Sequence, residues 1–338
     1  MDVKQEIPIF FSCDNNYVPY LAVAIRSLIE HTSKENSYRI IILTSTMNKE
    51  SQHELKQMET KNVKISFEDV SKSLEKIDNA LKLRLRDYYS TAIFYRLFIP
   101  NLFPLYEKAI YLDADMVILD DIAKLYNMDM KNNLLIATTD MVVNNSEIFR
   151  RYSEVALGLE PKKYINSGML VMNLREMRKE KIEQKFIYLL LKYNMEVIAP
   201  DQDYLNILCK DRILYIDENW DKMADYGNNI PEEELHIIHY NMMRKPWHYK
   251  DMPYSNVFWQ YAQETNYYNS LKEELNNYTD SQKEADSIGV ENLLNLSARI
   301  SNKEIQLVDV IHETEKITTD INFNAEDDEF LNLDGVLI

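Results

Sequence analysis

Short hydrophobic runs alternate with amphipathic stretches over the first part of the chain. Buried strands are predicted at Ile7–Phe11, Tyr38–Leu43 and Val63–Phe67, because each is a compact apolar run without a breaker. Between them, Val18–His31 and Asn48–Glu59 carry apolar residues at helical spacing. Strands that alternate with helices predict an α/β fold with a mainly parallel sheet and helices on both faces.

This alternation continues to about residue 240. The pattern predicts a helix at Thr91–Ile99 that Pro100 ends, strands at Ala109–Leu112, Leu134–Thr138, Met169–Asn173 and Leu235–His239, a long amphipathic helix at Arg175–Tyr193, and a shorter helix with Asp201 as its N-cap. We expect one large Rossmann-like domain over residues 1–265.

The pattern changes after residue 265. Ile288–Ile300 has helical apolar spacing, whereas Glu326–Glu329 is an acidic run. The formal net charge is −17, and residues 270–338 hold 5 Lys and Arg against 16 Asp and Glu, a net of −11. We therefore expect residues 266–338 to form a small acidic appendage that is helical or partly disordered. This charge argues against a nucleic-acid partner and makes membrane contact unfavourable.

The composition indicates the cellular compartment and limits how the protein could bind a phosphate. Two cysteines are too few for a disulfide framework, no apolar run reaches spanning length, and the first residues lack the shape of a signal peptide, so a cytoplasmic protein is expected. Only five glycines are present, and neither of the usual glycine-rich phosphate loops occurs. A bound nucleotide would need a metal and basic side chains instead.

Polar side chains recur where the predicted strands end. They are Asp14, Asn16, Asp113, Asp115, Asp140 and His239. Ligands in open α/β sheets bind beyond the carboxyl ends of the strands, so this edge is the expected binding site.

The most informative of these positions is Asp113-Ala114-Asp115. In extended backbone, residues i and i+2 point the same way, so the two carboxylates are aimed together from a strand end. Two adjacent anions need a cation or a proton. The pair therefore predicts a divalent metal that holds a diphosphate, and the competing interpretation is a solvated turn.

Six segments in this order resemble glycosyltransferase family 8, the retaining sugar transferases of the GT-A fold. They are Phe11-Ser-Cys-Asp-Asn-Asn-Tyr17, Tyr95-Arg-Leu97, Tyr111-Leu-Asp-Ala-Asp115, Asn166-Ser-Gly168, Asp201-Gln-Asp203 and His239-Tyr-Asn-Met-Met-Arg-Lys-Pro-Trp247. The resemblance covers roughly residues 5–250. That family includes bacterial lipooligosaccharide α-galactosyltransferases and glycogenin.

The resemblance implies a role for each matched residue. Asp113, Asp115 and His239 would hold Mn²⁺, with Mg²⁺ as the second choice, since a mixed carboxylate and imidazole shell suits Mn²⁺ better than Ca²⁺. The residues implied to bind the UDP-sugar are Asp14 and Asn16 by hydrogen bonds to uridine, Tyr17 by stacking, Ala114 and Lys245 at the diphosphate, and Arg96, Asp140, Asn166 and Asp201 around the sugar.

Catalysis is assigned to Asp201 and Gln202. The resemblance implies that Gln202 lies beneath the anomeric carbon. Because an amide is a poor nucleophile, we favour attack from the leaving-group face, with Gln202 stabilising positive charge. Asp201 is the alternative, as a nucleophile in a double displacement.

One residue departs from the family pattern. Met242 stands where the family usually has glycine, three residues after His239, which puts a close backbone approach to the diphosphate in doubt. The main hypothesis is transfer of a hexose, galactose favoured over glucose, from UDP-galactose or UDP-glucose to a glycan or glycoprotein, such as an O-glycan on a serine-rich adhesin. The alternatives are a lipopolysaccharide-type glycosyltransferase, a catalytically weak UDP-sugar-binding protein and a metal-dependent hydrolase.

Overall fold

The computed structural model describes residues 6–71, 91–193 and 195–311. Its strands are β1 Glu6–Ser12, β2 Ser37–Thr44, β3 Val63–Asp69, β4 Ala109–Leu112, β5 Met116–Ile118, β6 Leu135–Ala137, β7 Met169–Met172, β8 Ile213–Tyr215, β9 Lys222–Met223 and β10 Ile237–His239. Seven form one sheet in the order β3-β2-β1-β4-β7-β6-β8, and β5-β10-β9 form a second. In the large sheet only β7 runs antiparallel to its neighbours. The predicted fold class is confirmed.

Helices cover both faces of the large sheet. They are α1 Val18–Glu30, α2 Lys49–Lys56, α3 Tyr95–Leu102, α4 Ala123–Tyr126, α5 Met141–Asn145, α6 Glu147–Ala156, α7 Leu174–Lys179, α8 Ile182–Tyr193, α9 Pro200–Cys209, α10 Ser255–Ala262, α11 Tyr268–Asn277 and α12 Asp280–Ile300. Within the described ranges, no helix is both long and apolar enough to cross a membrane.

Strand β1 shows how the sequence produces this layering. Its side chains alternate between the two faces, because strands have a period of two residues. Phe10 packs into the hydrophobic cluster on one face, whereas Ile9 and Phe11 pack into the cluster on the other. A strand buried on both faces has a nearly continuous apolar sequence, and the central position of β1 accounts for its five buried residues in a row.

The predicted long helix at Arg175–Tyr193 is wrong. The chain forms α7 and α8 instead, separated by Lys181 in the left-handed region at φ 56°. Buried Met177 and Ile182 are five residues apart. Apolar residues on one face of a continuous helix recur every three or four residues, so this spacing does not fit a single helix. The break lets both helices turn their apolar faces into the same cluster.

Two predicted helix ends are also wrong. Pro100 lies inside α3, which continues to Leu102 and is preceded by a 3-10 turn at Thr91–Phe94. Asp201 is not an N-cap, because Pro200 takes the first helical position of α9 and Ala199 is the capping residue. The carboxylate of Asp201 is thereby available for other partners.

The strand predicted at Leu235–His239 is shorter and belongs to the second sheet. As β10, it lies between β5 and β9, with His239 opposite Met116 in the antiparallel pair with β5. Because β5 follows Asp115 directly, this pairing brings His239 back to the end of β4.

The C-terminal region is helical as expected and packs on the rest of the chain. Helix α12 begins with a capping box between Thr279 and Gln282. Its residues Leu296 and Ile300 are buried in the same cluster as Tyr152. The division at residue 265 stays a prediction, and the acidic run at 326–329 lies outside the described residues.

Candidate active site

A cavity of about 520 Å³ lies at the edge of the large sheet where β1, β4 and β6 end. Most of the residues predicted from the sequence line it: Asp14, Tyr17, Arg96, Asp113, Ala114, Asp115, Asp140, Asn166, Asp201, Gln202, His239 and Lys245. Asn16 does not, and lines a smaller neighbouring cavity with Asn15 and Thr46. Apart from Asn16, the side chains named at the strand ends therefore lie in one cavity.

Three potential metal ligands converge in this cavity. Ligand atoms of Asp113, Asp115 and His239 lie within 4.8 Å of one another. The Nε2 atom of His239 is 3.3 Å from Asp115 Oδ1 and 3.8 Å from Asp113 Oδ2. Neighbouring ligands of a small divalent ion with bonds of about 2.1 Å lie about 3 Å apart, so little movement would complete a coordination shell.

The imidazole of His239 is held in place by a carboxylate that the sequence pattern did not reveal. Asp221 Oδ1 lies 3.0 Å from His239 Nδ1, and its side chain is fully buried. A carboxylate on the second ring nitrogen is the usual partner of a metal-binding histidine. Burial lowers the pKa of His239, but Asp221 and Asp115 outweigh burial and raise it to about 10. A metal would replace the proton on Nε2.

Asp113 uses its two oxygens differently. Oδ1 accepts hydrogen bonds from Arg96 Nη2 at 2.8 Å and from Tyr111 Oη at 3.0 Å. Oδ2 faces His239. The buried guanidinium of Arg96 also contacts Asp201 Oδ2 through Nε at 3.0 Å and donates to the Ser167 carbonyl. Arg96 thus links the strand end that carries the candidate metal ligands to the start of α9.

Lys245 supplies a second buried cation. It is only 7% exposed, and its Nζ lies 2.6 Å from Asp115 Oδ2. Burial would raise the pKa of Asp115, but Lys245 and His239 hold it well below its usual range. Asp115 Oδ1 stays directed toward His239.

Negative charge exceeds positive charge in this part of the cavity. Its carboxylates are Asp113, Asp115, Asp140, Asp201 and Asp221, and its permanent cations are Arg96 and Lys245. With His239 neutral, as a metal ligand would require, five against two leaves an excess of three negative charges, and burial raises the pKa of Asp140 and Asp201. A divalent cation would reduce that excess to one, so the residues present fit a metal.

Close packing at this point requires glycine at position 168. A Cβ atom there would lie 2.9 Å from Asp113 Oδ2 and would collide with the ring of His239. The backbone of Gly168 also accepts a hydrogen bond from the Asp113 N–H at 2.8 Å. The Asn166-Ser-Gly168 segment therefore positions the metal ligands as well as lining the cavity.

Hydrogen bonds to both its oxygen and its nitrogen orient the side-chain amide of Gln202. Its Oε1 accepts from the Ser167 N–H at 2.9 Å. Its Nε2 donates to Asp140 Oδ2 at 3.1 Å and to Tyr164 Oη at 3.2 Å. Tyr164 in turn donates to Asp203 at 2.6 Å. Because both amide hydrogens are engaged, the carbonyl oxygen is the part of Gln202 that can face a developing positive charge.

Met242 occupies a backbone conformation that glycine favours. Its φ is 60°, and its side chain lines the cavity. The loop after His239 therefore keeps a left-handed turn without the glycine, at a strain cost of roughly 1 kcal/mol.

The first-strand residues have a local role as well. Asp14 Oδ1 accepts hydrogen bonds from the N–H groups of Asn16 and Tyr17 and so caps the short 3-10 turn at Asn15–Tyr17. Tyr17 is 38% exposed at the rim of the cavity, with its ring edge against Tyr20. An exposed ring at this rim can stack on a planar ligand.

The sequence profile of the family described as "Glycosyl transferase family 8" matches residues 8–251. The chain belongs to glycosyltransferase family 8. It is 31% identical over 256 residues to a Haemophilus influenzae protein described as a glycosyltransferase, covering 73% of this chain and 74% of the relative. It is 26% identical over 263 residues to a lipopolysaccharide 1,2-glucosyltransferase of Escherichia coli, covering 73% and 75%.

A solved structure shows the same fold. The galactosyltransferase LgtC, solved with donor and acceptor sugar analogues, superposes with a TM-score of 0.62 at 21% identity, covering 77% of this chain and 96% of LgtC. At this identity the likeness establishes the GT-A fold alone. For this family 8 glycosyltransferase, the fold and the enzyme class are therefore settled, and donor and acceptor are matters for proposal.

Proposed function

We propose that this glycosyltransferase moves a hexose from a UDP-sugar to a glycan, with a divalent metal and with retention at the anomeric carbon. Galactose is favoured over glucose as the hexose, and Mn²⁺ over Mg²⁺ as the metal. The first acceptor to test is an O-linked glycan of the kind carried by serine-rich adhesins.

One observation carries the proposal. Asp113, Asp115 and His239 converge in the cavity that also holds Lys245 and Gln202. A metal and a lysine on one side suit a diphosphate, and a fixed amide on the other suits an anomeric carbon. When bound there, a divalent metal would act as a Lewis acid on the departing UDP.

The chain's own groups would orient the donor. Lys245 would exchange part of its contact with Asp115 for the diphosphate. Asp140 and Asn166 are already joined, since Asn166 Nδ2 donates to Asp140 Oδ2 at 3.0 Å. This pair offers fixed acceptors and donors to sugar hydroxyls. Tyr17 would stack on the uracil.

The surroundings of Asp201 favour attack from the leaving-group face. Asp201 Oδ2 is engaged by Arg96 Nε and by Ser167 Oγ at 3.1 Å. A carboxylate that is paired with a guanidinium and hydrogen-bonded is a weaker nucleophile than a free one. Gln202 would instead place its carbonyl oxygen against the positive charge that develops on the sugar, which needs no covalent intermediate.

The decisive experiment is a donor screen. UDP-galactose, UDP-glucose and their N-acetyl derivatives are each incubated with the full chain, and UDP release is followed with Mn²⁺, with Mg²⁺ and with EDTA. The proposal expects release from a UDP-hexose that EDTA stops and Mn²⁺ restores. Equal turnover with EDTA, or turnover with the N-acetyl derivatives alone, would overturn it.

Retention is tested separately. The linkage of a product made from an α-linked UDP-hexose is read from the anomeric coupling constant in a proton NMR spectrum. An α-linked product supports retention, and a β-linked product contradicts it. A sugar adduct found on Asp201 or Gln202 by mass spectrometry would replace front-face attack by double displacement.

A further inference from the structure

The cavity has a second wall that the proposed donor-binding residues do not use. It consists of Tyr20, Trp247, His248, Glu274, Asp286 and Leu293, which we call the mouth wall. Three of these residues come from α11 and α12, the C-terminal helices for which the sequence pattern indicated no role.

Helices α11 and α12 cross from one hydrophobic cluster to another. Leu271 of α11 is buried with Trp247, whereas Leu296 and Ile300 of α12 are buried in the cluster of the large sheet. Asp286 and Leu293 are two turns apart, about 10 Å along the same face of α12, and both reach the cavity. The helices thus form a fixed side of its opening.

Both carboxylates of the mouth wall are held through one oxygen. Glu274 Oε1 is 2.7 Å from Tyr20 Oη and 2.9 Å from His248 Nε2. Asp286 Oδ2 accepts from Tyr249 Oη and Tyr278 Oη, each at 2.8 Å. Within the described part of the chain, Glu274 Oε2 and Asp286 Oδ1 make no hydrogen bond. Each carboxylate is therefore oriented and has acceptor capacity left for a ligand.

Aromatic rings stand beside these carboxylates. Tyr20 stacks on Trp247 with ring centroids 3.9 Å apart, and His248 stacks on Tyr278 at 3.9 Å. These contacts fix the rings at little further entropic cost on binding. Trp247 is buried and supports Tyr20, so the half-exposed rings of Tyr20 and His248 offer apolar faces, and the carboxylates offer hydrogen-bond acceptors.

We propose that the mouth wall is the acceptor subsite and that it binds an uncharged saccharide. This inference rests on the proposed function, because it supplies the acceptor that faces the donor sugar. A pyranose presents hydroxyl donors that suit free carboxylate oxygens and C–H faces that suit aromatic rings. A phosphorylated or acidic sugar would bring a second anion beside Glu274 and Asp286 and would be repelled.

The test measures saccharide binding without requiring transfer. Lactose, methyl β-D-galactopyranoside and glucose 6-phosphate are titrated into the full chain with UDP and Mn²⁺ present and followed by saturation-transfer NMR. We expect a neutral saccharide to bind and glucose 6-phosphate not to bind. In Glu274→Gln and Asp286→Asn the dissociation constant should rise about tenfold, the cost of one hydrogen bond to a charged group.

Matched controls separate this role from a structural one. Glu273→Gln and Glu284→Gln change exposed carboxylates on the same helices that do not line the cavity, and should leave saccharide affinity unchanged. Tyr20→Phe removes one hydrogen bond that orients Glu274 and should give an intermediate loss. If the residues only anchor the helices, the melting temperature falls while affinity for the saccharide and the acceptor KM stay constant, and the proposal is wrong.

The outcomes also distinguish this inference from the proposed function. Absence of UDP release from every UDP-sugar would overturn the function. UDP release with saccharide binding that is unaffected by Glu274→Gln and Asp286→Asn would overturn the subsite alone. Binding of glucose 6-phosphate in preference to the neutral sugars would reject the uncharged acceptor.

Discussion

The two walls of the cavity differ in how deeply their polar groups are buried and in how many hydrogen bonds those groups make. The inner wall consists of buried charges around Asp113, Asp201 and Gln202, each fixed by partners from other strands and helices. The mouth wall combines the half-exposed rings of Tyr20 and His248, backed by buried Trp247, with half-exposed carboxylates on two C-terminal helices. A buried, densely hydrogen-bonded network holds reacting groups in a single arrangement, whereas a half-exposed wall with free acceptors can recognise a partner. We therefore propose that the reaction takes place at the inner wall and that the mouth wall selects the acceptor.

The largest expected effect comes from Asp115→Ala on the inner wall. This change removes one of the three proposed metal ligands and leaves the buried Lys245 without its carboxylate partner. Loss of several kcal/mol of charge stabilisation corresponds to a fall in turnover of about a thousandfold or more. Turnover is measured as UDP release over a series of Mn²⁺ concentrations.

A saccharide titration gives this variant its control. Since Asp115 lies on the inner wall, lactose affinity in the presence of UDP should change much less than turnover. Full activity in Asp115→Ala would remove the metal assignment. Equal losses of turnover and saccharide affinity would break the division between the two walls.

Asp221→Asn is expected to have the next largest effect. The variant keeps the shape but weakens the carboxylate partner of His239 Nδ1. Changes of this kind weaken metal affinity by about 10–100-fold. Manganese affinity is measured by calorimetry, and saturating Mn²⁺ should recover most of the activity. Activity that saturating metal does not recover would assign Asp221 a different role.

The comparison also explains what the sequence could predict. Asp113, Asp115 and Asp140 follow strands, so their shared edge is implied by the parallel pattern. His239 follows a strand as well, although that strand belongs to the second sheet. The positions of these residues can be predicted because short apolar runs in the sequence identify the strands that carry them.

For other residues of the site, no local sequence pattern predicts the position. Asp221 precedes a strand of two residues, Lys222–Met223, which is too short to show a period. Tyr164 acts through Gln202 and Asp203, so its role depends on three segments meeting in space. The mouth wall depends on the packing of α11 and α12, which their polar sequence does not reveal. Contacts between distant segments are set by tertiary packing, and a single sequence does not show them.

The third prediction concerns the buried carboxylate beneath Gln202. Burial raises the pKa of Asp203 to about 6, even though Tyr152, Tyr164 and two backbone N–H groups donate to it. A carboxyl group whose folded-state pKa lies above the unfolded value of about 3.9 stabilises the fold below pH 4, and that contribution is lost as the pH rises through 6. A shift of about two units corresponds to roughly 3 kcal/mol.

Urea unfolding at pH 4, 5, 6 and 7 measures this effect against Asp203→Asn. The substitution removes the titrating group, so the difference in unfolding free energy between wild type and variant should shift toward the variant as the pH rises. Absolute stabilities do not isolate the titration, because the introduced amide can place its own N–H donors against the N–H groups of Ile198 and Ala199. Parallel pH profiles would show that Asp203 does not titrate in this range.

The smallest expected effect concerns Met242, whose loop reaches the cavity between the two walls. A non-glycine residue at φ 60° is strained by roughly 1–2 kcal/mol, while a glycine adds roughly 0.5–1 kcal/mol of unfolded-state entropy. Met242→Gly should therefore be neutral or stabilise the fold by up to about 1 kcal/mol. The neighbouring Met243 also lines the cavity but has no positive φ, so Met243→Gly should destabilise. Thermal unfolding of both variants in one buffer compares the two backbone positions after loss of the same side chain. Met242 also packs against the hydrophobic cluster of the large sheet, and loss of that packing opposes the relief of strain. Equal destabilisation would show that the packing of the Met242 side chain contributes more stability than relief of its backbone strain provides.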